Sequence, residues 1–169
     1  YGFPPLGERF AQLEEALGVI SSLWRGEPIE HAGQFYDLRG AVCSPKPIGL
    51  KLWVGGRGKE KTPRLAAKFA DGFNMPYVPP DLAGDRLSRV KKACDEIGRD
   101  FSEIDSSVNL GFYMNSDRAP DINPEGSLSG SVQEAVDMIG KFQEVGIQGI
   151  NIAFRPPIDW DALQQYIEE

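Results

Sequence analysis

Residues 55–62 carry the chemistry-bearing pattern of this chain: Gly55-Gly56-Arg57-Gly58-Lys59-Glu60-Lys61-Thr62. Three glycines in four positions let a ligand come close to the backbone, because no Cβ stands in the way. The apolar run before them reads as a strand and the run after them as a helix. A helix start offers unpaired N–H groups and the positive end of a dipole, which together favour an anion such as a phosphate. Arg57 and Lys59 sit in the turn itself and are placed to meet that anion. Arg64 and Lys68, one helical turn apart, read instead as a solvated helix face. Thr62 reads as the helix N-cap, with Pro63 at the first helical position. A strand–glycine–helix unit also occurs as a plain tight turn, so the pattern proposes a site without naming its ligand.

The elements that must position this turn follow from periodicity. Residues 8–24 repeat Leu13, Ala16, Leu17, Ile20 and Leu23 at helical spacing. Residues 29–38 predict a small hairpin. A strand over residues 50–55 is apolar on both faces, as a parallel strand covered by helices must be. A helix to about residue 70 follows, then a short strand over 72–75, a helix from Asp81 to about Gly98 and a strand over 106–114. Residues 116–130 read as a polar loop that moves. Ser131 and Glu134 form a capping box for a helix that turns Val132, Ala135, Val136, Ile139 and Phe142 inward. A last strand over 149–154 and a helix capped by Asp159 close the chain. One helix, a hairpin and four strand–helix units predict an α/β fold with a parallel sheet. Four units can make an open sandwich or half of a (βα)₈ barrel. A full barrel takes roughly 250 residues, and this chain has 169, which reads as one domain over 1–169.

In such a barrel, ligands gather at the C-terminal ends of the strands. Four clusters stand there: Gly55 to Gly58; Asn74, Met75, Pro76 and Tyr77; Tyr113, Met114, Asn115 and Ser116; and Phe154, Arg155 and Pro156. Asn74 either bonds a ligand ring or ribitol, or closes a turn. Arg155 either pairs with an anion or is held at the surface by Asp159 or Asp161. Tyr77 and Tyr113 either line the pocket or pack. Trp53 reads as core or helix contact. His31, the only histidine, lies in the hairpin region, remote in sequence from any strand end and with no acid or nucleophile to join it in a pocket, and Glu14-Glu15 and Asp95-Glu96 read as solvated helix faces. No metal-ligand spacing, phosphate-loop motif or nucleophile elbow is present.

The net charge of −7 speaks against nucleic acid or an anionic membrane as partner. No stretch is long and apolar enough to span a bilayer, and the start of the sequence lacks signal-peptide character. The two cysteines, Cys43 and Cys94, lie far apart. They predict a reducing, cytoplasmic setting, with Cys94 a buried small hydrophobe and Cys43 in a loop.

Several segments in order resemble the luciferase-like monooxygenase family, nearest its F420-dependent oxidoreductase branch. They are Tyr1-Gly2-Phe3-Pro4-Pro5-Leu6-Gly7-Glu8-Arg9-Phe10, Leu13-Glu14-Glu15-Ala16-Leu17, Leu23-Trp24, Gly33-Gln34-Phe35-Tyr36, Pro45-Lys46-Pro47, Trp53-Val54-Gly55-Gly56, Ala70-Asp71-Gly72-Phe73-Asn74 and Gly130-Ser131-Val132-Gln133-Glu134-Ala135-Val136. The resemblance covers nearly the whole chain, more weakly over residues 100–129. It implies the C-terminal half of a luciferase-like barrel, units 5–8, preceded by one helix and a small hairpin. It implies F420 or FMN as cofactor, a small organic substrate, and hydride or oxygen transfer. It places cofactor contacts on Gly55, Gly56, Arg57 and Gly58, with Thr62 able to add a hydroxyl. Flavin-binding relatives often carry serines in this turn where this chain has Arg, Lys and Glu, so both cofactors remain open. The family's acid–base residues lie largely in the half not seen here. Truncation, a fragment and a natural half-barrel all fit, as do a non-catalytic flavin-binding protein and an assembly module. A half-barrel exposes two parallel sheet edges and an apolar inner face, which predicts a homo-oligomer.

Overall fold

The computed structural model describes residues 2–113, 124–154, 158 and 160–168. Contacts divide the chain into two compact units, Tyr1–Leu52 and Trp53–Glu169.

The first unit is a helix, α1 (Leu6–Leu23), and an antiparallel hairpin of β1 (Ile29–Ala32) and β2 (Asp37–Ala41). Glu15 corrects the reading of a solvated acid. Its carboxylate accepts the backbone N–H groups of Gln34 (3.0 Å), Phe35 (3.1 Å) and Tyr36 (3.0 Å) at the hairpin turn. It also lies 2.9 Å from His31 Nε2. The histidine read as having no acid partner therefore has one, sixteen positions back.

Burial opposes ionisation of Glu15, but the His31 contact and the three N–H bonds outweigh it and hold its carboxyl below the ordinary range. A depressed carboxylate contributes stability above its ordinary value of 4.5 and loses it as pH falls through the folded value. Glu15→Ala is expected to raise hydrogen exchange at the Gln34, Phe35 and Tyr36 amides about tenfold at pH 7. It should have little effect once the pH is low enough to protonate the wild-type carboxyl. Equal exchange in both proteins at pH 7 would show that Glu15 does not hold the turn.

The second unit is a parallel sheet with helices between its strands. Its elements are β3 (Trp53–Gly55), α2 (Lys61–Phe69), β4 (Gly72–Pro76), α3 (Pro80–Ile97), β5 (Asp105–Tyr113), β6 (Ser127–Ser129), α4 (Val132–Glu144), β7 (Gly149–Ala153) and α5 (Trp160–Glu168). β3 pairs with β4, β4 with β5, and β5 with β7, all parallel. β6 was not expected. It lies within the segment read as a loop, too short to show a period. It pairs with β5 from Gly111 to Tyr113. Gly111 also faces Ala153 of β7, so β6 takes the other side of β5, in line beyond the end of β4. Gly126 confirms that placement: a Cβ there would come 2.6 Å from the Tyr77 carbonyl carbon.

Strand alternation sorts the side chains. Val54, Phe73, Met75, Val108, Leu110 and Phe112 are buried with Leu65 and Ala66 of α2, Leu87 and Val90 of α3, and Ala135 and Phe142 of α4. α2 packs on α3, and α3 on α4. The other face carries Trp53, Gly55, Asn74, Asp105, Ser107, Asn109, Gly149 and Asn151, opposed strand to strand in register.

Several boundaries move from their expected places. β3 starts at Trp53 rather than residue 50, because its partner β4 begins opposite, at Gly72. Thr62 is not the N-cap: α2 begins at Lys61, Glu60 occupies the cap, and no side chain caps it. Thr62 is buried instead. Val136 is 51% exposed rather than inward. The capping box stands, with Glu134 N–H on Ser131 Oγ (3.3 Å) and Ser131 N–H on Glu134 Oε2 (2.8 Å). Gly98 closes α3 at φ 70°, in the left-handed conformation that glycine adopts at no steric cost.

Candidate functional site

The turn after β3 leaves the sheet at its C-terminal end and runs over the start of α2. Gly56 sits at φ 149°, and its N–H bonds the Asn74 carbonyl at 3.0 Å. That donor is thus taken by the fold. Gly56 and Gly58 lie on Thr62: an added Cβ would meet Thr62 Cγ2 at 3.2 Å or Oγ1 at 2.5 Å. Gly55 differs, since its added Cβ would find nothing nearer than the Asn74 carbonyl at 3.5 Å. Arg57 and Lys59 are exposed. Gly55, the last residue of β3, and Gly56 thus have separate jobs. Gly56 meets a conformational demand, while Gly55 keeps open the space above the strand.

Beside Gly55 the polar face of the sheet lines a cavity of about 860 Å³, which includes Trp53, Asn74, Ser107, Asn109 and Asn151. Asn74 Nδ2 donates to Ser107 Oγ (2.8 Å) and to Asn109 Oδ1 (3.0 Å). Asn151 Nδ2 donates to the same Asn109 oxygen (3.1 Å). These bonds orient all three amides. The Asn109 oxygen is occupied twice, so its NH₂ and the Asn74 oxygen are left for other partners. The inner face, expected to be apolar, is therefore polar: such a row suits polar groups of a ligand or of another polypeptide, and it does not suit a dry apolar core.

Trp53, expected in the core or against a helix, is 44% exposed and lines the cavity. Its indole lies over Gly72, where a Cβ would come 2.4 Å from the ring. Ser107, Asn109 and Asn151 were missed by the sequence reading. The alternation of polar Asp105, Ser107 and Asn109 with apolar Val108 and Leu110 was the available signal.

Of the expected site residues, the structure brings Gly55 and Asn74 together at the cavity. Gly56, Arg57, Gly58 and Thr62 form the adjoining turn, outside its lining. Tyr77 follows β4 at φ 50°, a conformation rare for a residue with a side chain. Met114, Asn115, Ser116, Arg155, Pro156 and Asp159 lie outside the described residues. Cys94 is buried as expected, and burial pushes its thiol up, away from nucleophile chemistry. Among the described residues no cluster could hold a metal ion, and no helix is long and apolar enough to cross a membrane.

A parallel half-barrel with a glycine turn at its C-terminal edge defines the class. Residues 1–120 match the family described as luciferase-like monooxygenase, and this chain belongs to that family. It is similar to a F420-dependent glucose-6-phosphate dehydrogenase of Nakamurella multipartita, 30% identical over 119 residues. That match covers 69% of this chain and 35% of the relative. A F420-dependent secondary alcohol dehydrogenase, solved with an F420–acetone adduct, superposes with a TM-score of 0.81 at 18% identity, over 95% of this chain and 61% of that one. A riboflavin lyase with modified FMN superposes at 0.77 and 11% identity, over 99% of this chain and 58% of that one. These two share the fold, a luciferase-like barrel of which this chain is a part. The chain spans about 35% of the length of the curated relative.

Proposed function

We propose that this chain carries part of the cofactor site of an F420- or FMN-dependent oxidoreductase. The cofactor's phosphate lies at the Gly55–Gly58 turn and the start of α2, and its polar ring or ribitol groups lie toward Asn74. The observation that carries this reading is the open space at Gly55 beside an uncapped helix start with exposed Arg57 and Lys59. These residues fit an anionic, polar cofactor. The turn leaves room for close backbone approach, the cations match a phosphate, and the amide row offers donors and acceptors. When bound, such a cofactor supplies hydride transfer or oxygen activation toward a small organic substrate. This chain's own residues bind and orient it. The relatives named above, two of them F420-dependent enzymes by name and one solved with modified FMN, support both cofactors.

Titration of the purified chain with F420 and with FMN, read by fluorescence quenching, tests the proposal. Saturable micromolar binding of one of them is expected, and no binding of either would overturn it. The polar inner face lies open on a cavity, and we extend the proposal to a second chain pairing through that face in a homo-oligomer. Sedimentation at micromolar concentration should show a dimer or larger species. A compact monomer would sink the extension and leave the cofactor reading standing.

A further inference from the structure

α3 presents three charges from two successive turns, Asp85, Arg86 and Arg89, to the glycine turn. Arg86 is 4% exposed. Its Nε donates to the Arg57 carbonyl at 3.0 Å, and its Nη1 bonds the Asp85 carboxylate. Arg89 grips the same carboxylate from the next turn, through Nε at 2.9 Å and Nη2 at 3.2 Å. Its Nη1 reaches the Lys59 carbonyl at 3.4 Å. A buried guanidinium is costly unless its donors are used. Here one carboxylate serves two arginines, and one nitrogen of each goes to a carbonyl of the turn. Charge at the turn is therefore positive: Arg57, Lys59, Lys61, Arg86 and Arg89 outnumber Glu60 and Asp85.

The consequence lies in the geometry of the trans peptide. A carbonyl and the N–H of the next residue point in opposite directions across the peptide plane. With the Arg57 and Lys59 carbonyls drawn toward α3, the N–H groups of Gly58 and Glu60 must point away from it. We infer that Arg86, assisted by Arg89, is a positioning residue: it orients the turn so that the Gly58 and Glu60 N–H groups present themselves to a phosphoryl group. The inference rests on the phosphate reading of this turn. It adds which donors do the binding and what aims them. It also separates the two roles a cation can have here. Arg57 and Lys59 attract the anion directly. Arg86 acts through the backbone, and for that its planar fork matters, because one side chain must hold a carbonyl and a carboxylate in fixed relative directions. Lysine supplies the charge and lacks the fork.

The test compares FMN with riboflavin, which differ by one phosphate, and F420 with its deazaflavin core, which lacks the phosphate and the tail attached to it. Each pair is titrated into wild type, Arg86→Met and Arg86→Lys. Amide exchange at Gly58 and Glu60 is followed with and without inorganic phosphate. In wild type the phosphorylated member should bind more tightly, and phosphate should slow exchange at both amides. Arg86→Met should cut the preference for the phosphorylated ligand about tenfold and abolish the phosphate effect on the two amides. Val108 and Leu110 amides in β5 should keep their protection, which reports an intact sheet. Arg86→Lys should lose most of the preference as well, although it keeps the charge and the bulk. It also decides the matter should the methionine variant fail to fold. A folded variant with unchanged preference would overturn the positioning role. A wild type that binds both members of each pair equally would instead overturn the phosphate reading itself.

Discussion

Gly55→Val should weaken F420 or FMN binding by more than about tenfold, or about 1.4 kcal/mol, while leaving the melting temperature nearly unchanged. The selectivity comes from where a new side chain would go. At Gly55 the nearest atom to an added Cβ is the Asn74 carbonyl at 3.5 Å, an ordinary contact, so the folded chain tolerates the substitution. The branched side chain then fills the space a phosphate or ribitol would use. The same change at Gly56 is ambiguous, because φ 149° already disfavours a side chain and Thr62 stands 3.2 Å away. At Gly58 the Thr62 hydroxyl at 2.5 Å forces the turn to shift. A loss at Gly56 or Gly58 could therefore report a damaged turn, whereas a loss at Gly55 reports a blocked site. A fluorescence titration beside a thermal melt decides it. Full affinity in Gly55→Val would remove this turn from the cofactor site.

Phe142→Ala should cost about 3–5 kcal/mol of stability, whereas Val136→Ala on the same helix should cost less than about 0.5 kcal/mol. Phe142 is fully buried, and Val136 is 51% exposed. Against a total stability of about 5–15 kcal/mol for an ordinary domain, the phenylalanine deletion is a large fraction. Deleting a buried ring leaves a cavity that the neighbours close only in part, and an exposed valine leaves none. Urea unfolding followed by circular dichroism measures both. Equal midpoints would show that α4 does not dock on the sheet through Phe142.

Those two residues also show how far a one-dimensional pattern carries. Val136 and Phe142 both read as inward, although six residues at 3.6 per turn set them about 120° apart around the helix. The stripe of α4 that meets the sheet and α3 is narrower than the pattern, and it includes Ala135 and Phe142. Thr62 shows the same limit at a helix start. Threonine before proline is a sound capping signal, yet α2 begins one residue earlier and the threonine becomes a support beneath Gly56 and Gly58. In β5 the alternation was readable and went unread, since a strand interior rich in Ser and Asn looks unlike a barrel core. Each error concerns which neighbour a residue meets, and that is set by the rest of the fold.

The sequence by itself determined the element order apart from β6, the parallel half-barrel, the capping box at Ser131, the glycine turn at a strand end and the family. These depend on local periodicity, backbone freedom and short motifs, which a linear chain displays directly. Only the tertiary structure decided that Glu15 closes the hairpin turn with His31. The same holds for the Asn74–Asn109–Asn151 row, β6 in line beyond β4, and Arg86 aiming the turn from beneath. These contacts join residues from 16 to 42 positions apart or more. Such pairings become favourable only when packing of the strands and helices has already offset the entropy of bringing distant segments together.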